Sequence, residues 1–281
     1  MTEAFDARTL PAHLAQVFSS ALTRFGAVGE GRPQVGWHGR TAGLRVFSSE
    51  HGRAWLRIVM ARPELARGDW WNGNLEAPDP VAMRRPRVLA WDEWALGSSV
   101  VRAELMELLP GAACSPSPEL RNAPGLSEEW WDALEDTLQA LASHRTGRAV
   151  TTPESIVHRA HVLFGVKHDL ADVVWTTCHG DLHWANLFAP AFALVDWESW
   201  GCAPAGSDIV TLYLHSLLVP DIAEGIRDRF PGVFASRSGE VAIVYAGSRM
   251  LARAMSGDYP DLIDPIHRTI REHGPSRGRK A

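Results

Sequence analysis

The stretch that most restricts what this chain can become is 178–200, CHGDLHWANLFAPAFALVDWESW. Two apolar runs within it, 187–189 and 192–195, are separated by Pro190-Ala191 and read as the strands of a tight hairpin. Polar residues gather at its two ends. His179, Asp181, His183 and Asn186 precede the hairpin, and Asp196 follows ten residues after Asn186. Closing such a ribbon sets the Asn186 amide beside the Asp196 carboxylate, with Asp181 on the loop just before. Two oxygen ligands and a second carboxylate nearby suit a hard cation such as magnesium carried by a nucleotide. Asp181 is then left to accept the proton of an attacking hydroxyl.

His179-Gly180-Asp181, with Asn186 five residues after the aspartate, resembles the catalytic loop of the aminoglycoside phosphotransferase and choline kinase group, relatives of protein kinases. Asp196-Trp197-Glu198 resembles that group's metal-binding aspartate motif, the counterpart of the kinase D-F-G. Order, spacing and the intervening hairpin all agree, which a lone HGD would not supply. The resemblance implies an α+β, protein-kinase-like two-lobe fold, with a small antiparallel β-sheet lobe followed by a mostly helical lobe. Residues 1–109 would form the nucleotide-binding lobe and hinge, 110–273 the helical lobe with the catalytic loop, and 274–281 a flexible tail. The implied reaction moves the γ-phosphoryl group of a magnesium nucleotide, ATP or GTP, to a hydroxyl. Asp181 would be the base, and Asn186 and Asp196 the Mg2+ ligands. His179 would steady the loop, whereas His183 either approaches the phosphates or acceptor or packs beside Trp184. The acceptor would be a small molecule such as an aminoglycoside, sugar or amino alcohol, with a peptide hydroxyl as the alternative.

The first hundred residues fit the smaller lobe. Apolar residues Leu10, Leu14, Val17, Phe18, Leu22 and Phe25 recur at helical spacing over 9–25. Segments 34–37, 43–48 and 54–60 read as strands, the last two joined by a turn carrying Gly52. Gly36 and Gly39 bracket the first turn, where backbone NH groups could approach phosphate oxygens or the glycines could simply serve the turn. The third strand carries Arg57 where a kinase-like fold puts its phosphate-clamping lysine. The chain has only Lys167 and Lys280, so Arg57 is either the substitute clamp or a solvent-facing strand residue. Over 69–82 a helix is expected, cut short by Gly73, Pro78 and Pro80, with Glu76 as the partner of Arg57 across it or as a surface residue.

A hairpin over 87–94 and 100–104 then leads into LMELLPG at 105–111. That segment resembles a phosphotransferase hinge, in which the backbone of Glu107 and Leu109 faces the adenine edge and Met106 backs the pocket. An ordinary strand end is the alternative. Residues 112–125, rich in Pro, Ser and Ala, read as a connecting loop.

In the second half, Ser127 can cap a helix over 128–143 whose buried stripe is Trp131, Leu134, Leu138 and Leu141. Thr152 with Pro153 opens a second helix ending near Gly165, and 173–177 is a short strand feeding the motif. Residues 201–208 resemble a segment that follows the metal-binding aspartate in the aminoglycoside phosphotransferase group, which implies that Asp208 caps a helix over 209–218 and braces the catalytic loop. Further helices are expected over 220–230, 238–255 and 262–273.

A net charge of −5 gives no reason to expect nucleic acid or an anionic membrane as partner. Three cysteines without paired spacing indicate neither a disulfide framework nor a zinc site. The start, MTEAFDARTL, lacks an apolar signal-like core, so a cytoplasmic protein is expected. Oligomeric state stays open. Asp221, Glu224, Asp258, Asp261 and Asp264 could attract a cationic acceptor, or form solvated helix faces. Two other classes compete with the kinase reading. A transition-metal hydrolase could use His179, Asp181, His183 and Asp196, but it leaves Asn186 and the hairpin unexplained. A kinase-shaped binding protein that lost turnover along with its lysine would keep the same motif.

Overall fold

The structure, a computed structural model, describes residues 5, 11–36, 39–79, 83–165 and 169–273. The chain divides into two compact units, the first comprising 1–76 and 85–110 and the second 77–84 and 111–281. The expected strand end at Trp37 and the tail beyond 273 lie outside the described residues.

In the first unit, helix α1 (Ala12–Arg24) is followed by β1 (Ala27–Val35), β2 (Thr41–Ser48), β3 (Gly52–Ala61), helix α2 (Asp69–Glu76), β4 (Val88–Leu96) and β5 (Ser99–Glu107). The five strands form one antiparallel sheet in the order β1-β2-β3-β5-β4. Val17, Phe18 and Ala21 of α1 pack on Leu44, Val46, Leu56, Ile58 and Leu105, the buried alternation that a one-sided sheet requires. The first strand begins earlier than the 34–37 expected. Its sequence, AVGEGRPQV, has no apolar alternation, and it pairs with β2 through its backbone across an irregularity between Glu30 and Gln34. Gly43 has a steric reason to be glycine, because a Cβ there would sit 2.1 Å from the Trp55 indole.

Helix α2 ends at Glu76, as the prolines after it demand. Arg102 pins it to the sheet. Its guanidinium bonds the Trp71 carbonyl, Asn72 Oδ1 at 3.1 Å and Glu93 Oε2 at 2.9 Å, and it lies 4.6 Å from the centre of the Trp71 ring.

The second unit opens with β6 (Ala112–Ala113), so the expected connecting loop is in part structured. Helices α3 (Glu128–Ser143) and α4 (Pro153–Phe164) begin as their sequences dictate. Ser127 accepts from Trp130 N and Thr152 from Ser155 N, and α4 ends on Gly165 at φ 64°. On α3 the fully buried tryptophan is Trp130 rather than Trp131, which with Leu138 is only partly covered. Trp130 turns inward because its Nε1 donates to the Phe188 carbonyl at 2.7 Å.

Then come β7 (Trp175–Cys178), β8 (Leu187–Ala189), β9 (Ala193–Leu194) and β10 (Gly201–Pro204). Five helices follow: α5 (Ser207–His215), α6 (Pro220–Arg229), α7 (Pro231–Phe234), α8 (Arg237–Ala254) and α9 (Ile263–His273). Gly206, in the left-handed region, occupies the N-cap of α5, so Asp208 lies inside the helix and does not cap it. Helix α8 is buried along most of its length, and a side chain at Gly247 would reach within 2.7 Å of Ile270 on α9. Among the described residues no helix is long and apolar enough to cross a membrane.

Candidate active site

The motif segment is an excursion with a closed base. Strands β7 and β10 pair antiparallel, Cys178 opposite Gly201, so everything between them leaves and returns at one point. Arg148 secures the return, donating from Nε to the Trp200 carbonyl at 3.1 Å with its guanidinium 4.3 Å from the Trp200 ring centre. At the outgoing end, Gly180 adopts φ 82°, and a Cβ there would come within 2.5 Å of the Ser199 carbonyl oxygen. Only glycine fits this crossing.

The Asp208 carboxylate grips the same bend with both oxygens. Oδ2 accepts from the His179 backbone NH at 2.7 Å and Oδ1 from the Gly180 NH at 2.9 Å. Burial pushes the Asp208 pKa up, and the two NH donors pull against that. The bracing expected of Asp208 is therefore present although its capping role is not.

Within the excursion, β8 and β9 form the hairpin expected from the apolar runs, Leu187 opposite Leu194 and Phe188 opposite Ala193. The pairing extends one step further, Val195 N donating to the Asn186 carbonyl at 3.0 Å. Asp196 is thus one residue beyond the backbone partner of Asn186. It adopts φ 65°, a left-handed conformation that costs a non-glycine residue energy. Asn186 Nδ2 donates to the Asp181 carbonyl at 3.0 Å, which commits the amide nitrogen and leaves Oδ1 as the end that can meet a cation. An amide oxygen and a carboxylate, one from each end of the hairpin, would make a hard donor pair. It fits a magnesium ion that keeps waters and phosphate oxygens for its remaining positions.

Buried His179 sits under this arrangement. Its Nε2 lies 3.1 Å from the Val195 carbonyl, which can only accept, so the proton is on Nε2. The ring meets Trp197 edge-on at 4.9 Å. Burial lowers the His179 pKa and keeps the ring neutral. His179 is therefore a link between the two halves of the motif. Among the described residues no group of three or more His, Cys, Asp or Glu is placed to hold a metal ion.

Asp181 is flanked by two bases. His183 Nε2 lies 3.5 Å from Oδ2, and Arg249 Nη2 lies 3.8 Å from Oδ1. Burial alone would raise the Asp181 pKa, but His183 and Arg249 outweigh it and hold the carboxyl well below the usual range. Arg249 also donates from Nη1 to the Gly180 carbonyl at 2.9 Å, fixing the loop as well as its charge. Sequence reading missed Arg249, which is 68 residues from Asp181 on α8. No motif announces it.

The remaining expected site residues belong to the first unit. Arg57 is not solvent-facing, since its side chain is only 11% exposed. Across the sheet its guanidinium meets the Glu104 carboxylate at 3.2 Å. Strand register decides this, because Arg57 and Glu104 are directly opposed on β3 and β5. Helix α2 contributes Asn74, whose Nδ2 donates to the same Glu104 oxygen at 2.8 Å, while Glu76 accepts from Asn72 at 3.1 Å. Met106 is buried near the end of β5, and Leu109 is half-buried just beyond it. The Glu107 NH donates to the Arg87 carbonyl at 3.0 Å and its carboxylate takes the Arg87 guanidinium, with Nε at 2.8 Å. Of the Glu107 backbone, the carbonyl is what a base edge could use.

No family model matches the sequence, and no curated protein matches it. Solved structures do. An amicoumacin kinase, hAmiN, in complex with AMP-PNP, Ca2+ and Ami superposes with a TM-score of 0.53, covering 93% of each chain at 11% identity. The chain has a protein-kinase-like fold. Further likenesses are to choline kinase LicA from Streptococcus pneumoniae, with a TM-score of 0.49 at 14% identity over 93% of this chain and 99% of that one. A third is spectinomycin phosphotransferase APH(9)-Ia with ADP and spectinomycin, with a TM-score of 0.48 at 11% identity over 92% and 93%. The α+β architecture expected from the catalytic-loop resemblance is the one observed: a five-stranded antiparallel sheet in one unit and a mainly helical second unit.

Proposed function

We propose that the protein is a phosphotransferase of the aminoglycoside phosphotransferase and choline kinase type, moving the γ-phosphoryl group of a magnesium nucleotide, ATP or GTP, to a hydroxyl of a small molecule. One observation carries this reading. The Asn186 side chain bonds the backbone of Asp181 while the Asn186 backbone bonds that of Val195. The segment bearing the candidate base and the turn bearing Asp196 are thereby joined through a single residue. Phosphoryl transfer asks for that kind of positioning more than for covalent chemistry.

In this reading Asp181 orients the acceptor hydroxyl. As the acceptor oxygen bonds to the γ-phosphorus and the bond to the β–γ bridging oxygen breaks, the hydroxyl proton passes to the Asp181 carboxylate and the nucleoside diphosphate leaves. With its basicity held down by His183 and Arg249, Asp181 takes the proton late, once the forming bond has acidified the hydroxyl. Magnesium held by Asn186 Oδ1 and Asp196 would neutralise charge gathering on the phosphate oxygens. Arg57 is the phosphate clamp in place of a lysine, aimed by Glu104 and Asn74. Met106, the Glu107 carbonyl and Leu109 receive the base, with 1–109 as the nucleotide lobe and 110–273 as the lobe carrying chemistry and acceptor.

The test is a thermal-shift titration with ATP or GTP and magnesium, followed by nucleoside diphosphate release against a hydroxyl panel. Wild-type protein should be stabilised and should turn over. Asp181→Ala should keep nucleotide binding and lose transfer. Absence of any nucleotide effect would favour a kinase-shaped binding protein, and undiminished transfer in Asp181→Ala would remove the assigned base.

A further inference from the structure

Three buried polar side chains meet beside Asp181, and none of the three polar atoms has a partner. The rings of His183 and His215 are 5.6 Å apart, and those of His215 and Tyr259 are 5.5 Å apart. The residues are 8%, 3% and 6% exposed, yet His183 Nδ1, His215 Nε2 and Tyr259 Oη form no hydrogen bond. They come from three places in the chain: the loop after Asp181, the end of α5 and the turn after α8. Tyr259 holds φ 30°, in the left-handed region. A buried polar atom without a partner is costly, and folded proteins keep few of them. Three together, in a run of rings that starts at His183 beside the candidate base and ends on a backbone-strained residue, are the mark of a ligand site.

Their chemistry selects the ligand. His215 Nδ1 lies 2.9 Å from the Thr211 carbonyl and must donate to it, so Nε2 carries a bare lone pair. Burial takes the His215 pKa down to about 3, which keeps that lone pair available. Burial takes the Tyr259 hydroxyl up to about 12, so it keeps a hydrogen to donate. A fixed acceptor next to a donor complements a group that does both, and hydroxyls do. An ammonium would leave the tyrosine hydrogen without an acceptor, and a carboxylate would face the histidine lone pair. The charges acting on Tyr259 are those of Arg253, Asp258, Asp181 and Arg249. They pair two against two, Arg253 with Asp258 at 3.1 Å and Arg249 with Asp181 at 3.8 Å. Asp261, another acid that could have drawn a cation, is held by Arg121 at 2.9 Å.

We propose that the acceptor is a neutral polyhydroxyl compound, sugar-like or cyclitol-like, whose non-reacting hydroxyls bond to His215 Nε2, Tyr259 Oη and His183 Nδ1. This rests on the phosphotransferase reading for the reacting hydroxyl, but the subsite can be tested without it. Saturation-transfer NMR on the full chain without nucleotide, probing glucose, myo-inositol, kanamycin and choline, reads the subsite directly. At least one neutral polyol should receive saturation, and both His215→Leu and Tyr259→Phe, the latter removing a single oxygen, should abolish it. With nucleotide present, each variant should raise the polyol KM tenfold or more while kcat moves less than threefold. Saturation of kanamycin or choline but of neither polyol would overturn the proposal, as would a polyol signal or KM unchanged in Tyr259→Phe. Polyol binding in a chain that ignores nucleotide would keep this subsite and remove the transferase reading.

Discussion

The His179 ring reaches across the motif to the Val195 carbonyl at 3.1 Å, so one buried imidazole ties the loop of Asp181 to the residue before Asp196. Asp208 holds the backbone of the same histidine from the other side, at 2.7 Å. The two carboxylates are thereby placed through a shared neutral residue, and neither needs the other's charge to find its position.

His179→Ala should therefore cost stability as well as geometry. The change removes a fully buried ring packed on Trp197 and takes a donor from a backbone carbonyl, for an expected loss of about 2–4 kcal/mol. Urea denaturation of the purified chain measures it. A loss below about 1 kcal/mol would mean that the bridge to Val195 is replaced without cost.

A second expectation concerns the first unit. Glu104 is 1% exposed and serves both Arg57 and Asn74 through one oxygen. Glu104→Ala takes the carboxylate from a nearly buried guanidinium, which should destabilise by about 3 kcal/mol or more. Glu104→Gln keeps an oxygen for Asn74 and should lose less. If the two variants unfold at the same urea concentration, the charge on Glu104 is irrelevant to Arg57.

What could be read from sequence follows from how local the cause is. The hairpin after Asn186 was legible because its apolar runs and its Pro-Ala break are contiguous, and the caps at Ser127 and Thr152 were legible for the same reason. Glu104 was missed because its pairing with Arg57 depends on the register between β3 and β5, which no short window contains. Trp130 and Trp131 are adjacent, and the inward choice was made by the distant Phe188 carbonyl. Arg249, His215 and Tyr259 carry no motif at all. They became visible once α5, α8 and the turn after α8 were brought against the catalytic loop.

The stability of the chain should fall with acid from about pH 6.5 downward through its buried histidines, with Asp208, whose pKa burial raises, acting in the opposite sense. His215 is neutral in the folded state, its pKa lowered by burial from 6.5 to about 3. Below pH 6.5 the unfolded chain gains a proton there that the folded chain does not, so stability present above that pH is lost as pH falls. For this one group the slope is about 1.4 kcal/mol per pH unit. Burial lowers the His179 pKa as well and adds in the same direction. The depressed Asp181 contributes only as pH falls through its unfolded value of 3.8. Urea midpoints between pH 6 and pH 4 should therefore drop in wild type and drop less steeply in His215→Leu. Parallel curves for the two proteins would show that His215 is not held neutral by the fold.

Asp196 offers a test of whether function holds the backbone where it is. At φ 65° an L-residue meets its own carbonyl, a cost of about 1–2 kcal/mol that glycine escapes. Asp196→Ala and Asp196→Gly both delete the carboxylate, so both should abolish the magnesium dependence of nucleotide binding. They should differ in stability. The glycine variant is expected to be more stable than the alanine variant by about 1 kcal/mol, a margin reduced by the extra freedom of glycine in the unfolded chain. Equal denaturation midpoints would mean that the turn relaxes to an ordinary conformation once the carboxylate is gone. The left-handed bend would then be imposed by the side chain's own bonds. A clear advantage for glycine would place the strain in the hairpin itself, with β8, β9 and the His179 bridge holding Asp196 in position.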